Sequence, residues 1–398
     1  MLNRAGGTEL LPVRETSDRG KETNMVTIKE VRSGSDMRKF ARFPVQHYRN
    51  DPYYVPSFYS DEKNATNPKK NFALGDCDIR CWLAYKDGKL AGRVMGIIQK
   101  KYNRISGRKC IRFSRFECID DQEVADALIG AVEQYGREQG MDTIHGPWGF
   151  NDQDREGMLY EGFDRRATYA TNYNYDYYPK RIEAMGFVPE SEWVEYDFRI
   201  PETVDERLQR ISKYVTEKLG LREVAETAPM RKLIPRYGHK LLAMTNEAYA
   251  DLDCYVPLDE REMDNVLDQF ATVINQRYFS VLVDKNDDVV ACGVIIPSLC
   301  SVLQKHRGRM TPCAILGLLQ AIKHPKELEM VLVAVRKDYR NKGVNSLMMA
   351  RITKNIIEDQ IEHVESNPEL VTNLAVQAQW DVFDREIVKR RRTYTKAL

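Results

Sequence analysis

The chain has 398 residues, 42 % of them hydrophobic and 30 % charged, a mix that supports two packed cores and excludes a fibrous or disordered protein. Its formal net charge of +1 provides no global field toward nucleic acid or membrane. No apolar run approaches the roughly eighteen residues of a membrane span.

In chain order, residues 1–24 lack an apolar h-region and read as a disordered leader, with Met25 as an alternative start. Val26–Val31 alternates like a strand, and Met37–Tyr48 has helical spacing ended by Asp51-Pro52. Arg80–Tyr85 and Leu90–Ile98 flank an Asp-Gly turn and form a hairpin. A strand at Lys109–Phe116, an amphipathic helix at Glu123–Gln139 closed by Gly140, and a short strand at Thr143–Gly146 follow. A helix at Pro179–Gly186 and a strand at Glu195–Phe198 complete the first half.

The same order of elements recurs after Ile200-Pro201. Helices at Lys232–Ala250 and Glu260–Val273 precede a hairpin of Tyr278–Val283 and Val289–Pro297. Then come a strand (Leu328–Val335), a helix (Ser346–Glu358), a strand starting at His363–Glu365, a helix (Asn373–Phe383) and a final strand (Arg390–Lys396). The division is therefore expected to fall into 25–199 and 200–398. The eight Cys are scattered and show no zinc spacing, so all are expected as buried or half-buried thiols in a reducing, cytoplasmic compartment. Arg390–Arg392 reads as a solvated strand edge rather than a nucleic-acid patch. The tyrosine-rich run Tyr169–Tyr178 reads mainly as packing for the first half, and otherwise as a wall of an acceptor pocket.

The most informative stretch is Leu328–Met348. A β-branched strand ends at Val335, a basic turn follows (Lys337–Gly343), and a helix starts near Val344. Amides at that helix start, flanked by Arg340 and Lys342, suit a diphosphate. Gly343 lets the backbone approach such a ligand. There is no Walker lysine motif. The first half has an acidic turn instead, Glu117–Gln122, which repels a diphosphate.

Arg340-Asn-Lys-Gly343-Val-Asn345 resembles the acyl-CoA signature of the GNAT acetyltransferases, in which Gly or Ala is preferred where this chain has Asn345. Together with His145–Asn151, Tyr160–Phe163 and Asn172–Tyr178, it resembles a bacterial branch with two such domains in tandem. The resemblance implies an α/β (α+β) fold of two GNAT-like domains, each a mixed, mostly antiparallel twisted sheet flanked by helices. It implies an N-acyltransferase that uses acetyl-CoA or another acyl-CoA on the amine of a small molecule or peptide-like acceptor, without metal, nucleic acid or membrane. By resemblance, Arg340, Asn341, Lys342, Gly343, Val344 and Asn345 hold the pyrophosphate, Val333 and Val335 pair with pantetheine, and Asn373 helps hold cofactor or substrate. Glu365 and Glu329 are the candidate bases, and Tyr339 a weaker candidate acid. The rival reading is a binding or regulatory protein that keeps the fold without turnover. A third, an aminoacyl-tRNA-dependent peptidoglycan transferase, lacks the basic helical arm that a tRNA partner would need.

Overall fold

A computed structural model describes residues 25–151, 154–250, 252 and 255–398. The expected leader and Cys254 lie outside them. The first half runs β1 Val26–Glu30, α1 Gly34–His47, α2 Tyr59–Asn64, β2 Cys77–Lys86, β3 Lys89–Gln99, α3 Lys100–Ser106, β4 Cys110–Cys118, α4 Gln122–Glu138, β5 Thr143–Gly146, β6 Met158–Glu161, α5 Tyr177–Ala184 and β7 Val188–Phe198. The second runs α6 Glu206–Leu219, β8 Arg222–Glu223, α7 Met230–Tyr249, α8 Glu260–Phe270, β9 Phe279–Val283, β10 Val289–Pro297, α9 Cys300–His306, α10 Pro312–Lys323, β11 Glu327–Val335, α11 Val344–Glu358, β12 His363–Ser366, β13 Glu369–Leu370, α12 Leu374–Ala378 and β14 Arg385–Ala397.

Local chemistry explains the boundaries. Asp87 and Gly88 both have positive φ (52° and 74°), the requirement of a tight hairpin turn whose twist matches its strands. Asp121 starts α4 by accepting the Val124 N–H at 3.3 Å, and Thr311 does the same for Ala314 at the head of α10 (3.2 Å).

Among the described residues all strands join one sheet, ordered β1-β2-β3-β4-β5-β14-β7-β12-β11-β10-β9-β8, with β6 on β14 and β13 on β7. Two pairs are parallel, β4 with β5 and β11 with β12, at matching places in the two halves; the others are antiparallel. Each half receives the other's last strand. β7 pairs with β12 of the second half, and β14 pairs with β5 of the first. The main cores lie between the sheet and α4 (Trp82, Ile111, Phe113, Leu128, Val132) and between the sheet and α7 (Leu241, Val281, Val294, Ile296). Among the described residues no helix is long and apolar enough to cross a membrane.

Three expectations are corrected. The helix expected over Asn373–Phe383 is only Leu374–Ala378. Gln377 folds its amide back onto the Leu370 and Val371 carbonyls (2.9 and 3.0 Å), and Arg385 takes the Gln377 carbonyl (2.7 Å). Arg390–Arg392 is not an edge: β14 has neighbours on both sides, and Arg391 is buried against Glu195 (2.6 Å). Cys313 is exposed, because α10 buries only Ala314 and Leu318; Cys77, Cys81, Cys110, Cys118, Cys292 and Cys300 are buried.

Candidate functional site

The site begins where two strands part. β11 and β12 pair only from Glu327/His363 to Met330/Ser366. The Asn367 N–H still reaches the Met330 carbonyl (3.1 Å). Pro368 then breaks the ladder, and β13 turns away to pair with Trp193 and Val194 of β7. β11 continues to Val335, held on its other side by β10. From Val331 onward no strand pairs with its β12-facing edge, where the Tyr249 hydroxyl donates to the Val333 carbonyl (2.9 Å) and the Arg340 guanidinium to the Val335 carbonyl (3.3 Å).

That edge runs into the loop 337–343. Asn341 (φ 60°) and Gly343 (φ 76°) are both left-handed. Gly343 is the N-cap of α11, and no side chain caps the helix. No side chain accepts from the first turn of this 15-residue helix, whose Ser346 N–H donates to the Gly343 carbonyl (3.0 Å), and the helix dipole favours an anion at this end. The Asn345 Oδ1 and Gln379 Nε2 atoms beside it are buried without partners, although the two side chains share one hydrogen bond (2.7 Å). The orphaned Gln379 Nε2 is a donor that suits an anion, whereas the orphaned Asn345 Oδ1 is an acceptor that calls for a donor group on a guest.

The first half differs at the matching place. β4 and β5 also part, after Arg112/His145, but the Trp148 N–H fills the opening by donating to the Phe113 carbonyl (2.9 Å). The Arg112 guanidinium donates to the Gly149 carbonyl (3.0 Å). Asp121 already caps α4, so that helix start is satisfied from within.

The residues expected at the site divide. Val333 lines the opening; Val335 and Val344 pack in the cluster with α6 and offer backbone only. Lys342 is exposed on the loop, its ammonium 5.4 Å from the Tyr339 ring centroid. Arg340 is a strut, donating to the Ala248 and Val335 carbonyls (2.7 and 3.3 Å) and tying the loop to the end of α7. Tyr339 packs between Arg336 and Lys342. A Cβ on Gly343 would stand 2.8 Å from Ile211 Cγ2, so this glycine serves the approach of α6 as well as the turn. Asn373 caps α12 through the Val376 N–H (3.4 Å) and also lines the cavity described next.

A chamber of about 1030 Å³ lies between the halves. Its second-half wall is apolar (Leu241, Phe279, Val281, Ile296), and its first-half pole is polar (Glu62, Arg93, Arg115, Asp154). Arg93 bonds to Glu62 at 2.6 Å and to Glu117. Burial alone would raise the Glu62 carboxyl, but Arg93 and Arg115 hold it at about 2. Tyr169 and Tyr173 line the chamber, whereas Tyr175, Tyr177 and Tyr178 pack against His47 and Tyr48. The tyrosine run thus supplies both packing and wall.

Glu329 and Glu365 do not face this chamber. They are register neighbours on one face of the sheet, and the residues that reach the chamber are the next in each strand, Met330 and Ser366. Glu329 accepts from Ser298 Oγ (2.6 Å), Tyr169 N (2.8 Å) and Cys300 Sγ (3.0 Å), while burial pushes its carboxyl up. Glu365 is ion-paired to Lys389, which also meets Glu195 (3.2 Å). The oxygens of both carboxylates are engaged by these partners.

On the second-half side of the chamber, near the open β11 edge, a carboxyl that does face the cavity is Glu369. Its Oε1 accepts from Trp380 Nε1 (2.7 Å), and its Oε2 is buried with no partner among the described residues. Burial raises it to about 7, against the lowering effects of the Trp380 bond and Arg385. Around it the chamber wall includes Ser366, Asn367, Asn373 and Tyr249. A half-buried carboxyl that titrates near neutrality is suited to take up a proton. Sequence reasoning passed over it because it follows the strand instead of lying in it; the Asn367-Pro368 break next to the open strand was the available signal.

No protein-family model matches the chain. Protein YghO of Escherichia coli (strain K12) is 23 % identical over 392 residues, 94 % of this chain and 97 % of its own. A bacterial ceramide synthase of Caulobacter vibrioides (strain NA1000 / CB15N) is 23 % identical over 321 residues, 78 % of this chain and 80 % of its own. Among solved structures, a tandem GNAT protein from the clavulanic acid biosynthesis pathway superposes with TM-score 0.52 at 11 % identity, over 94 % of this chain and 98 % of its own. The chain has the tandem GNAT fold, a large, mostly antiparallel sheet flanked by helices.

Proposed function

We propose that this protein is an N-acyltransferase that takes its acyl group from acyl-CoA and gives it to an amine held in the chamber between the halves. The observation that carries the reading is the open edge of β11 leading into the uncapped start of α11, when the matching opening in the first half is filled by its own chain. The relative named as a ceramide synthase supports acyl transfer as the reaction class, and GNAT-fold enzymes use acyl-CoA.

Acyl-CoA would supply the activated thioester carbon. The amides of 341–345, with Lys342 beside them, would hold the pyrophosphate, and the β11 edge at Val333–Val335 would hold the pantetheine arm. Glu369, which lines the chamber, accepts the proton of the acceptor's ammonium. Tyr249 keeps a hydroxyl proton at the Val333 carbonyl, at the parting of the strands. Arg340 positions the loop from α7, and Glu329 and Glu365 position the strands from the far face.

Isothermal titration of acetyl-CoA and hexadecanoyl-CoA into the full chain tests the reading. Binding is expected, and Lys342→Glu should weaken it roughly tenfold, since a charge-assisted phosphate contact is worth about 1–2 kcal/mol. Absence of binding by both thioesters would sink the proposal.

A further inference from the structure

The chamber reaches the surface beside α10, and this surface has two properties that the whole-chain charge conceals. The first is apolar exposure. Met310, Ile315, Leu316 and Leu319 all project into solvent, Leu316 with 68 % of its area exposed. Ile315 and Leu319 are one helical turn apart and Leu316 lies beside them, while Ala314 and Leu318 face the protein. The second is charge. From Leu299 to Lys326 the chain carries Lys305, Arg307, Arg309, Lys323 and Lys326 and no Asp or Glu. Among the described residues only Lys326 of these five has an ion pair, an exposed one with Glu362.

The exposed patch and the cavity wall share residues. Arg307, Met310, Ile315 and Leu319 line the chamber as well as the surface. Behind them the wall continues through Leu318, Ile322, Phe279 and Val281. The chamber volume, about 1030 Å³, is at the top of the range for small-molecule sites and far exceeds what a two-carbon acyl group fills.

We propose that α10 and its flanking cations dock this protein on an anionic phospholipid bilayer, so that the chamber opens onto the lipid and takes an aliphatic chain from it. Apolar side chains set among cations are the pairing that holds peripheral proteins at anionic membranes, where neither signal alone suffices. A nucleic acid would use the cations and leave the leucines in water. α8, with Glu260, Glu262, Asp264 and Asp268 against one Arg261, is repelled by the same surface, so the α10 side is the one that approaches. The docking surface does not depend on acyl transfer, and it would stand if the protein bound CoA nowhere.

The test uses the full chain with vesicles of phosphatidylcholine alone, or of phosphatidylcholine and phosphatidylglycerol in equal parts. The protein should sediment with the mixed vesicles, stay in solution with the neutral ones, and be released by salt at about 0.5 M, where the screening length is only a few ångströms. Leu316→Glu should lower partitioning at least tenfold, the equivalent of losing one buried leucine. The triple variant Lys305→Glu, Arg309→Glu, Lys323→Glu should lower it roughly a hundredfold, at about fivefold per cation. All four positions are exposed, so thermal unfolding should not change. The chamber is read with cis-parinaric acid, which should brighten on mixing with the protein and be displaced by palmitate. Equal partitioning of wild type and both variants, or no binding to the anionic vesicles, would overturn the docking. A dimer in solution that Leu316→Glu makes monomeric, with vesicle binding unchanged, would assign the patch to a second copy and overturn it as well. Parinaric acid that stays dark would remove the aliphatic ligand.

Discussion

Replacing Glu369 by Gln should raise stability at alkaline pH and abolish most activity, and both effects follow from one carboxyl. Burial lifts Glu369 from 4.5 to about 7, so the folded state holds a proton that the unfolded chain has already released. Between these two values the native state binds more protons than the unfolded state, and stability falls as pH rises. The loss is absent below about pH 4.5, accumulates as pH climbs through 7, and reaches about 3 kcal/mol at 1.36 kcal/mol per pH unit. Glutamine keeps the acceptor for Trp380 Nε1 and removes the charge. Its new amide N–H group stands where Oε2 had no partner, and that offsets part of the gain, leaving roughly 1–3 kcal/mol at pH 8. Urea unfolding of both proteins from pH 5 to pH 8.5 measures this. The variant's advantage should be near zero at pH 5 and grow to its full size by pH 8. A difference that stays flat across this range would refute the assigned environment of Glu369. In the same variant acyl transfer should fall by roughly 10²–10⁴, with acyl-CoA affinity preserved and the limb of the pH–rate profile near pH 7 lost.

Gly343→Ala should destabilise the chain by roughly 2–4 kcal/mol, as a left-handed residue (φ 76°) gains a Cβ 2.8 Å from Ile211 Cγ2; denaturant unfolding that shows less than about 1 kcal/mol would mean that α6 yields easily. Lys389→Met should cost roughly 3–5 kcal/mol, because Lys389 is 1 % exposed between Glu195 and Glu365 and its loss leaves buried carboxylate charge uncompensated. A Lys389→Met midpoint in urea equal to that of the wild type would show that Arg391 alone balances the cluster.

Much of the fold was legible because its elements are set by short-range rules. The Asp87-Gly88 hairpin, the helix over Glu123–Gln139 closed by Gly140, and the strand–loop–helix of β11 and α11 each follow from side-chain period, capping or a residue that tolerates positive φ. These properties belong to a few consecutive residues and survive without knowledge of the neighbours. The phosphate-type loop was visible for the same reason, and so was the acidic turn that stands in its place in the first half.

Orientation and environment were decided only by tertiary structure. Which face of the sheet Glu329 and Glu365 occupy depends on the register of β11 with β12, and that places Met330 and Ser366 toward the chamber instead. Arg391 is buried because β14 crosses into the first half, where Arg391 stands opposite Leu159 of β6 and Trp193 of β7, long-range pairings that no local pattern encodes. Glu369 becomes a neutral-range carboxyl only where Pro368 turns it from the parted strands into a half-buried wall. The net charge of +1 is an even sum, and it conceals a cationic stretch around α10 because charge acts through where the fold places it. Sequence alone therefore indicated most of the elements and the basic turn ahead of α11, because these follow from short-range rules; burial and strand partnership, which are long-range, decided the surroundings of each charged group.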